Sequence, residues 1–430
     1  MAHRLTTTAA DFTSKFNAFL TQKREASPDV DASVRGIISD VRTRGDEAVI
    51  ELTQRFDGLA LTPATMRVSK AEIDAAYGAC DAATLASLNF AHDRIYAHHQ
   101  RQLPKDDLYT DALGATLGSR WTAVESVGLY VPGGLASYPS SVLMNACPAK
   151  VAGVPRIVMV VPSPQGELNG QVLAAARIAG VEEIYRIGGA QAIAALAFGT
   201  ATIAPVVKIV GPGNAYVAAA KRLVYGVVGI DSIAGPSEVL VIADKDNNPE
   251  WIAADLIAQA EHDTAAQSIL MTDDAGFAAA VEAAVARQLA TLPRGNIAGE
   301  SWNLNGAVIV LRTLDEAPAL ADKIAAEHLE ISCANADAMA LKIRNAGAIF
   351  LGAHTPEVIG DYVGGSNHVL PTARSAKFSS GLGVLDFMKR TSILKLDAGA
   401  LAKLGPDAMT LARAEGLEGH RRSVELRLGK

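Results

Sequence analysis

The chain has 430 residues, 49% hydrophobic and 20% charged, with a net charge of -7. That length exceeds one ordinary core and predicts two or three domains of a soluble globular protein. No basic stripe runs through it, so no nucleic-acid partner is expected. No apolar run approaches the roughly 20 residues that span a membrane.

Cys80, Cys147 and Cys333 are scattered and odd in number, which makes neither a disulfide framework nor a Cys-x-x-Cys zinc pair. With a polar start after Met1, the expected compartment is the cytoplasm.

In chain order, the first hundred or so residues read as helical. Val34, Ile37, Ile38 and Val41 recur at helical spacing, and Val49, Ile50 and Leu52 follow the Arg44-Gly45 break. Residues 70–100 form one Ala-rich helical stretch. From Val124 short β-branched runs alternate with Ala-rich segments. Strands are expected at 156–161, 183–187 and 206–210, and helices at 170–179, 190–198 and 215–224.

The pattern begins again at 238–243, with strands at 268–272, 307–311, 328–332 and 348–351 and helices at 249–261 and 275–292. After Gly352 it fades into a glycine-rich loop at 360–368, a helical tail, and an alternation at 423–428 that predicts a strand.

Such alternation implies parallel strands with helical crossovers. The expected fold is α/β: two successive, incomplete, Rossmann-like doubly wound units. A mainly helical N-terminal region packing on these units spans 1–123, the first unit 124–236 and the second 237–375. Residues 376–430 form an extended tail suited to reaching another subunit. The Ala234-Gly235-Pro236-Ser237 segment is the junction.

Polar residues gather among glycines at several expected strand ends, where α/β proteins place their chemistry. Gly128-Leu129-Tyr130-Val131-Pro132-Gly133-Gly134 is either a tight turn or backbone held close to a ligand, with the Tyr130 ring beside it. Gly188-Gly189-Ala190-Gln191 and Gly211-Pro212-Gly213-Asn214 each follow a strand and open a helix, a position suited to phosphate. The second lacks the last small residue of a dinucleotide fingerprint, having Tyr216 there. Asn214 serves equally well as a helix cap.

Gln259 and His262 lie three apart in a helical run and so share a face. Their oxygen and nitrogen suit zinc, or a plain surface pair. Glu327-His328 before a strand offers two bases of different strength, with His328 taken at its ordinary pKa near 6.5, or a salt-bridged loop. Asp361 and His368 fall in the glycine-rich loop, and Glu415 and His420 in the tail.

In this order the motifs resemble those of the histidinol dehydrogenases across essentially the whole chain. They include 131–134, 188–197, 211–214, 233–244, Gln259-Ala260-Glu261-His262, Glu327-His328-Leu329, Gly360-Asp361-Tyr362 and 367–372. The resemblance implies two successive oxidations of L-histidinol, through the aldehyde, to L-histidine, each passing a hydride to NAD.

It further implies zinc on Gln259, His262, Asp361 and His420, and NAD contacts at Tyr130, Gln191 and Asn214. Substrate contacts are implied at Ser237, Gln259, His262, His328, Asp361, His368, Glu415 and His420. Glu327 and His328 would be the catalytic bases. Glu415 and His420 would come from the partner subunit of a homodimer.

Two other readings compete. One is a relative with the same apparatus acting on another small alcohol, such as a sulfonated diol. The other is a non-catalytic scaffold, which predicts lost catalytic residues, and none is lost. One departure is visible: Ala325-Ala326 stands where the family usually carries Gly-Pro.

Overall fold

The structure, a computed structural model, describes residues 2–22, 28–133, 138–233 and 235–429. Gly134 and Ala234, which belong to two of the motifs above, lie outside the described residues.

The strands in chain order are β1 (His3–Thr6), β2 (Asp107–Thr110), β3 (Thr116–Ala123), β4 (Ser126–Tyr130), β5 (Arg156–Val160), β6 (Glu183–Tyr185) and β7 (Lys208–Val210). They continue with β8 (Gly229–Ile230), β9 (Glu238–Ala243), β10 (Gln267–Thr272), β11 (Ala307–Val310), β12 (His328–Ser332), β13 (Ala348–Leu351) and β14 (Met388–Lys395).

Two sheets are wholly parallel, in the orders β6-β5-β4-β7-β8 and β1-β11-β10-β9-β12-β13. In each, the unit's first strand is central and the winding reverses beside it, at β4/β7 and at β9/β12. This is the doubly wound arrangement, twice over.

The central parallel strands are covered on both faces, and their sequences are largely apolar for that reason. Alternate residues of β5 prove the point: Ile157 and Met159 join one core, and Val158 and Val160 another. Likewise Leu240 and Ile242 of β9 face one core and Val239 and Val241 its opposite. Asn169, Asn214, Asn248 and Asp274 cap the crossover helices by accepting backbone N–H groups of the first turn.

The N-terminal helices pack on these cores. Pro28–Arg44 and Asp46–Asp57 bring Val34, Val41 and Val49 to one face of the first sheet. Lys70–Ala79 and Ala82–Gln100 bring Ile73 and Ile95 to the other. The expected single helix over 70–100 is two, because Ser69 and Asp81 each cap a new start.

Three further expectations are corrected. β1 is a strand inside the expected helical region: it pairs with β11 over four residues, and Leu5, Phe16 and Phe19 enter the second sheet's core. Asp361 sits in a helix, Glu357–Tyr362, rather than in the loop. The expected strand at 423–428 falls in the helix Glu418–Arg427 and the residue after it. Val424 and Leu428, four apart, both press on Gly405, where a Cβ would lie 2.9 Å from each.

The tail is tied down by β14, which pairs antiparallel with β3 from Met388↔Ala123 to Lys395↔Thr116. The following helix, Ala398–Ala414, rests by the β2–β3 turn, where Lys403 Nζ donates to Leu113 O at 3.3 Å. Among the described residues no helix is long and apolar enough to cross a membrane.

Candidate active site

Two strand edges carry the polar segments, and they are opposite in kind. In the first sheet it is the carboxyl edge. Tyr130 ends β4, Gly188–Gln191 follow β6, and Gly211–Asn214 follow β7, so the β4/β7 switch point is flanked by Tyr130 and the 211–214 loop. In the second sheet it is the amino edge: Ser237 precedes β9, Gln259 and His262 precede β10, and Glu327 precedes β12.

A chain of contacts joins the two edges. Ser141, in the helix Pro139–Val151 that follows β4, lies 3.3 Å from His368 Nε2. His368 Nδ1 donates to Asp361 O at 3.0 Å, and the Asp361 carboxylate lies 3.7 Å from His328 Nε2.

On the first edge each residue has a local reason for its place. The buried Tyr130 hydroxyl accepts from Gly189 N–H at 3.1 Å, tying β4 to the turn after β6, and burial pushes its pKa up to about 12. Gln191 is buried with no hydrogen-bond partner at Oε1. Asn214 is a cap, its Oδ1 accepting from Tyr216 N and Val217 N at 3.1 Å, which leaves only its amide nitrogen for a ligand. Gly211 has φ +112°, and a Cβ there would meet Tyr130 O at 2.2 Å. Glycine therefore lets the loop lie directly against the β4 backbone at this switch point.

On the second edge His328 is buried, with Nδ1–H donating to Glu238 O at 3.1 Å, so that the neutral ring presents its lone pair at Nε2. Glu327 is buried beside it, accepting from Glu238 N at 3.0 Å, with Oε2 3.8 Å from His328 Nδ1. Glu357 Oε2 lies 3.6 Å from the same nitrogen.

Burial pushes Glu327 up to about 7 and Glu357 to about 8, against the pull of His328. Burial would lower the imidazole, but Glu357, Glu327 and Asp361 override it and hold His328 well above its ordinary range. Burial would likewise raise Asp361, yet His328 keeps it below the usual carboxylate range. The expectation of an ordinary His328 is thus corrected: three acids surround a buried ring. Such a cluster retains a proton at neutral pH and can pass it on.

Beside it, Gln259 is fully buried. Its Nε2 lies 3.0 Å from His262 Nδ1, and its Oε1 has no partner. His262 and Asp361 feel each other's charge. Among the described residues no group of three or more His, Cys, Asp or Glu is gathered as for a metal. Glu415 and His420 are exposed on the tail helices and do not join this cluster in the single chain.

Glu357, Glu330 and Ser141 escape sequence reasoning. Glu330 carried a signal, being an acid in a strand buried along its length, and its carboxylate accepts from Glu357 N at 2.7 Å. Glu357 and Ser141 carried none.

The loop carrying Glu327 and His328 is pinned by Gly347. Its N–H donates to Ala326 O at 3.0 Å, and Ala348 N donates to Glu327 O at 2.9 Å. Ala325, the departure noted above, is the left-handed cap of the helix Ala317–Ile324, at φ +49°. That conformation costs an L-residue about 1–2 kcal/mol, whereas glycine loses about 0.4–1 kcal/mol of unfolded-chain entropy instead. Ala325→Gly is therefore expected to raise the midpoint of denaturant unfolding slightly. A lower midpoint would mean that the buried Ala325 methyl packs for more than the strain it brings.

A doubly wound α/β fold with glycine-rich loops at one sheet's carboxyl edge and a buried acid–imidazole cluster at the other's amino edge has the form of an α/β enzyme. A sequence model of the family "Histidinol dehydrogenase" matches residues 20–428. Histidinol dehydrogenase of Brucella suis biovar 1 (strain 1330) is 67% identical over 428 residues, covering 100% of both chains. That of Bradyrhizobium diazoefficiens is 68% identical, covering 100% of this chain and 99% of its own. The crystal structure of histidinol dehydrogenase from Elizabethkingia anophelis superposes with a TM-score of 0.95 at 35% identity, covering 100% of this chain and 98% of that one. The chain belongs to the histidinol dehydrogenase family.

Proposed function

We propose that this enzyme oxidises L-histidinol to L-histidine in two steps through the aldehyde, completing histidine biosynthesis, with NAD as acceptor and zinc as resident metal. The observation that carries this reading is the His328–Glu327 pair, buried at the amino edge of the second sheet and linked through Asp361 and His368 to the helix after β4.

The donor set fits zinc. Gln259 offers a buried oxygen with no other partner, His262 has Nε2 left after Nδ1 is engaged, and Asp361 is an ionised carboxylate. His420 of a second copy would complete the set, which makes the active form a homodimer with Glu415 also supplied across the interface. When bound, zinc would anchor and polarise the substrate, and NAD would take up hydride.

The chain's own groups manage protons. His328 Nε2 removes the hydroxyl proton as the alcohol is oxidised. Glu327 takes a proton from the water that hydrates the aldehyde, a role suited to an acid pushed up to about 7. Ser237 and His368 are the further substrate contacts in this reading. Tyr130, Gln191 and Asn214 line the crevice for NAD, so 124–236 is the NAD half and 237–375 the catalytic half. Residues 1–123 pack on both, and 376–430 reach the partner. The setting is cytoplasmic.

The deciding experiment counts NADH formed per L-histidinol consumed by zinc-loaded protein. Two NADH with histidine as product are expected. No NADH from a protein that binds both zinc and NAD would move the reading to another small alcohol.

A further inference from the structure

Lys221 is a cation inside a helix that is otherwise small and apolar on its buried side, Ala215–Val224. Its side chain is 2% exposed, and that of Asp231, its ion-pair partner, 5%. Two buried charges are expensive to desolvate and are kept only where their geometry is well satisfied. Here both close on one residue. Lys221 Nζ donates to Gly211 O at 2.8 Å, and Asp231 Oδ2 accepts from Gly211 N at 2.7 Å.

We propose that the Lys221–Asp231 pair is a positioning device that holds Gly211, and with it the 211–214 loop, in the conformation that receives NAD. This rests on the reading of the β4/β7 crevice as the NAD site. Asp231 directly follows β8 and Lys221 lies in the helix after β7, so the pair clamps the loop from two neighbouring elements. The clamp is needed because Gly211 stands at φ +112° against Tyr130 O, a conformation its own backbone does not favour over others.

Lys221 is too buried to touch a ligand, and its charge is cancelled by Asp231, so it is no phosphate ligand. Its effect passes through the direction of two backbone groups. A loop held this way before the ligand arrives spares the ordering cost on binding.

The test uses zinc-loaded wild type, the single variant K221M and the double variant K221M/D231L. K221M leaves Asp231 buried and unpaired and is destabilised; the double variant removes both charges and retains the fold. For K221M/D231L the KM and Kd for NAD are expected to rise roughly tenfold, with kcat at saturating NAD and the Kd for L-histidinol within about twofold of wild type. A folded double variant that binds NAD as wild type does would overturn the inference and leave the crevice reading standing. Failure of the wild type to bind NAD would overturn both.

Discussion

His328→Asn is expected to slow oxidation of the alcohol by about 10²–10⁴-fold, the range for loss of a positioned base. Asn keeps a donor for Glu238 O but presents no basic nitrogen where Nε2 stood. The unfolding midpoint and bound zinc measure whether anything else changed, and turnover near that of wild type would remove His328 from the mechanism.

The pH dependence has a definite sign. The base must be neutral to act, and Glu357, Glu327 and Asp361 hold the imidazole charged above its ordinary range despite burial. The rate of alcohol oxidation should therefore rise with pH along a limb centred above 6.5, not at it. Glu327→Gln should spare this step and slow oxidation of supplied aldehyde more strongly. Equal losses in both half-reactions would refute that division.

Gly211→Ala is expected to destabilise the fold by about 3 kcal/mol or more and to weaken NAD binding at least tenfold in the protein that remains folded. The new Cβ would lie 2.2 Å from Tyr130 O, a backbone atom of a central strand with no freedom to retreat. The loop must move instead, breaking the bonds from Gly211 to Lys221 and Asp231 together. Denaturant unfolding and NAD titration read the two effects separately. A stable variant with unaltered NAD affinity would show that NAD binding does not depend on the position of this loop.

Much of the architecture was legible in the chain itself, because local physics decides it. A strand buried along its length reads as a short, largely apolar run, as β9 does, and β9, β12 and β13 were expected at their observed bounds. The Gly211-Pro212-Gly213-Asn214 loop before a helix announces itself by glycines and a capping residue. The order of such motifs was enough to resemble one family.

The tertiary structure decided what local pattern leaves degenerate. Four residues, His3–Thr6, have no period to read and become a strand only because β11 offers an open edge. The alternation at 423–428 fits a strand or a helix, and Gly405 selects the helix by giving Val424 and Leu428 one surface to cover. His328 shows its usual chemistry in sequence, but its charge is set by Glu357, 29 positions later in the chain and 3.6 Å away in space. Electrostatics acts over distance, not along the chain. Only folding could link the helix after β4 of one sheet, through Ser141, His368 and Asp361, to the acid–imidazole cluster at the amino edge of the other.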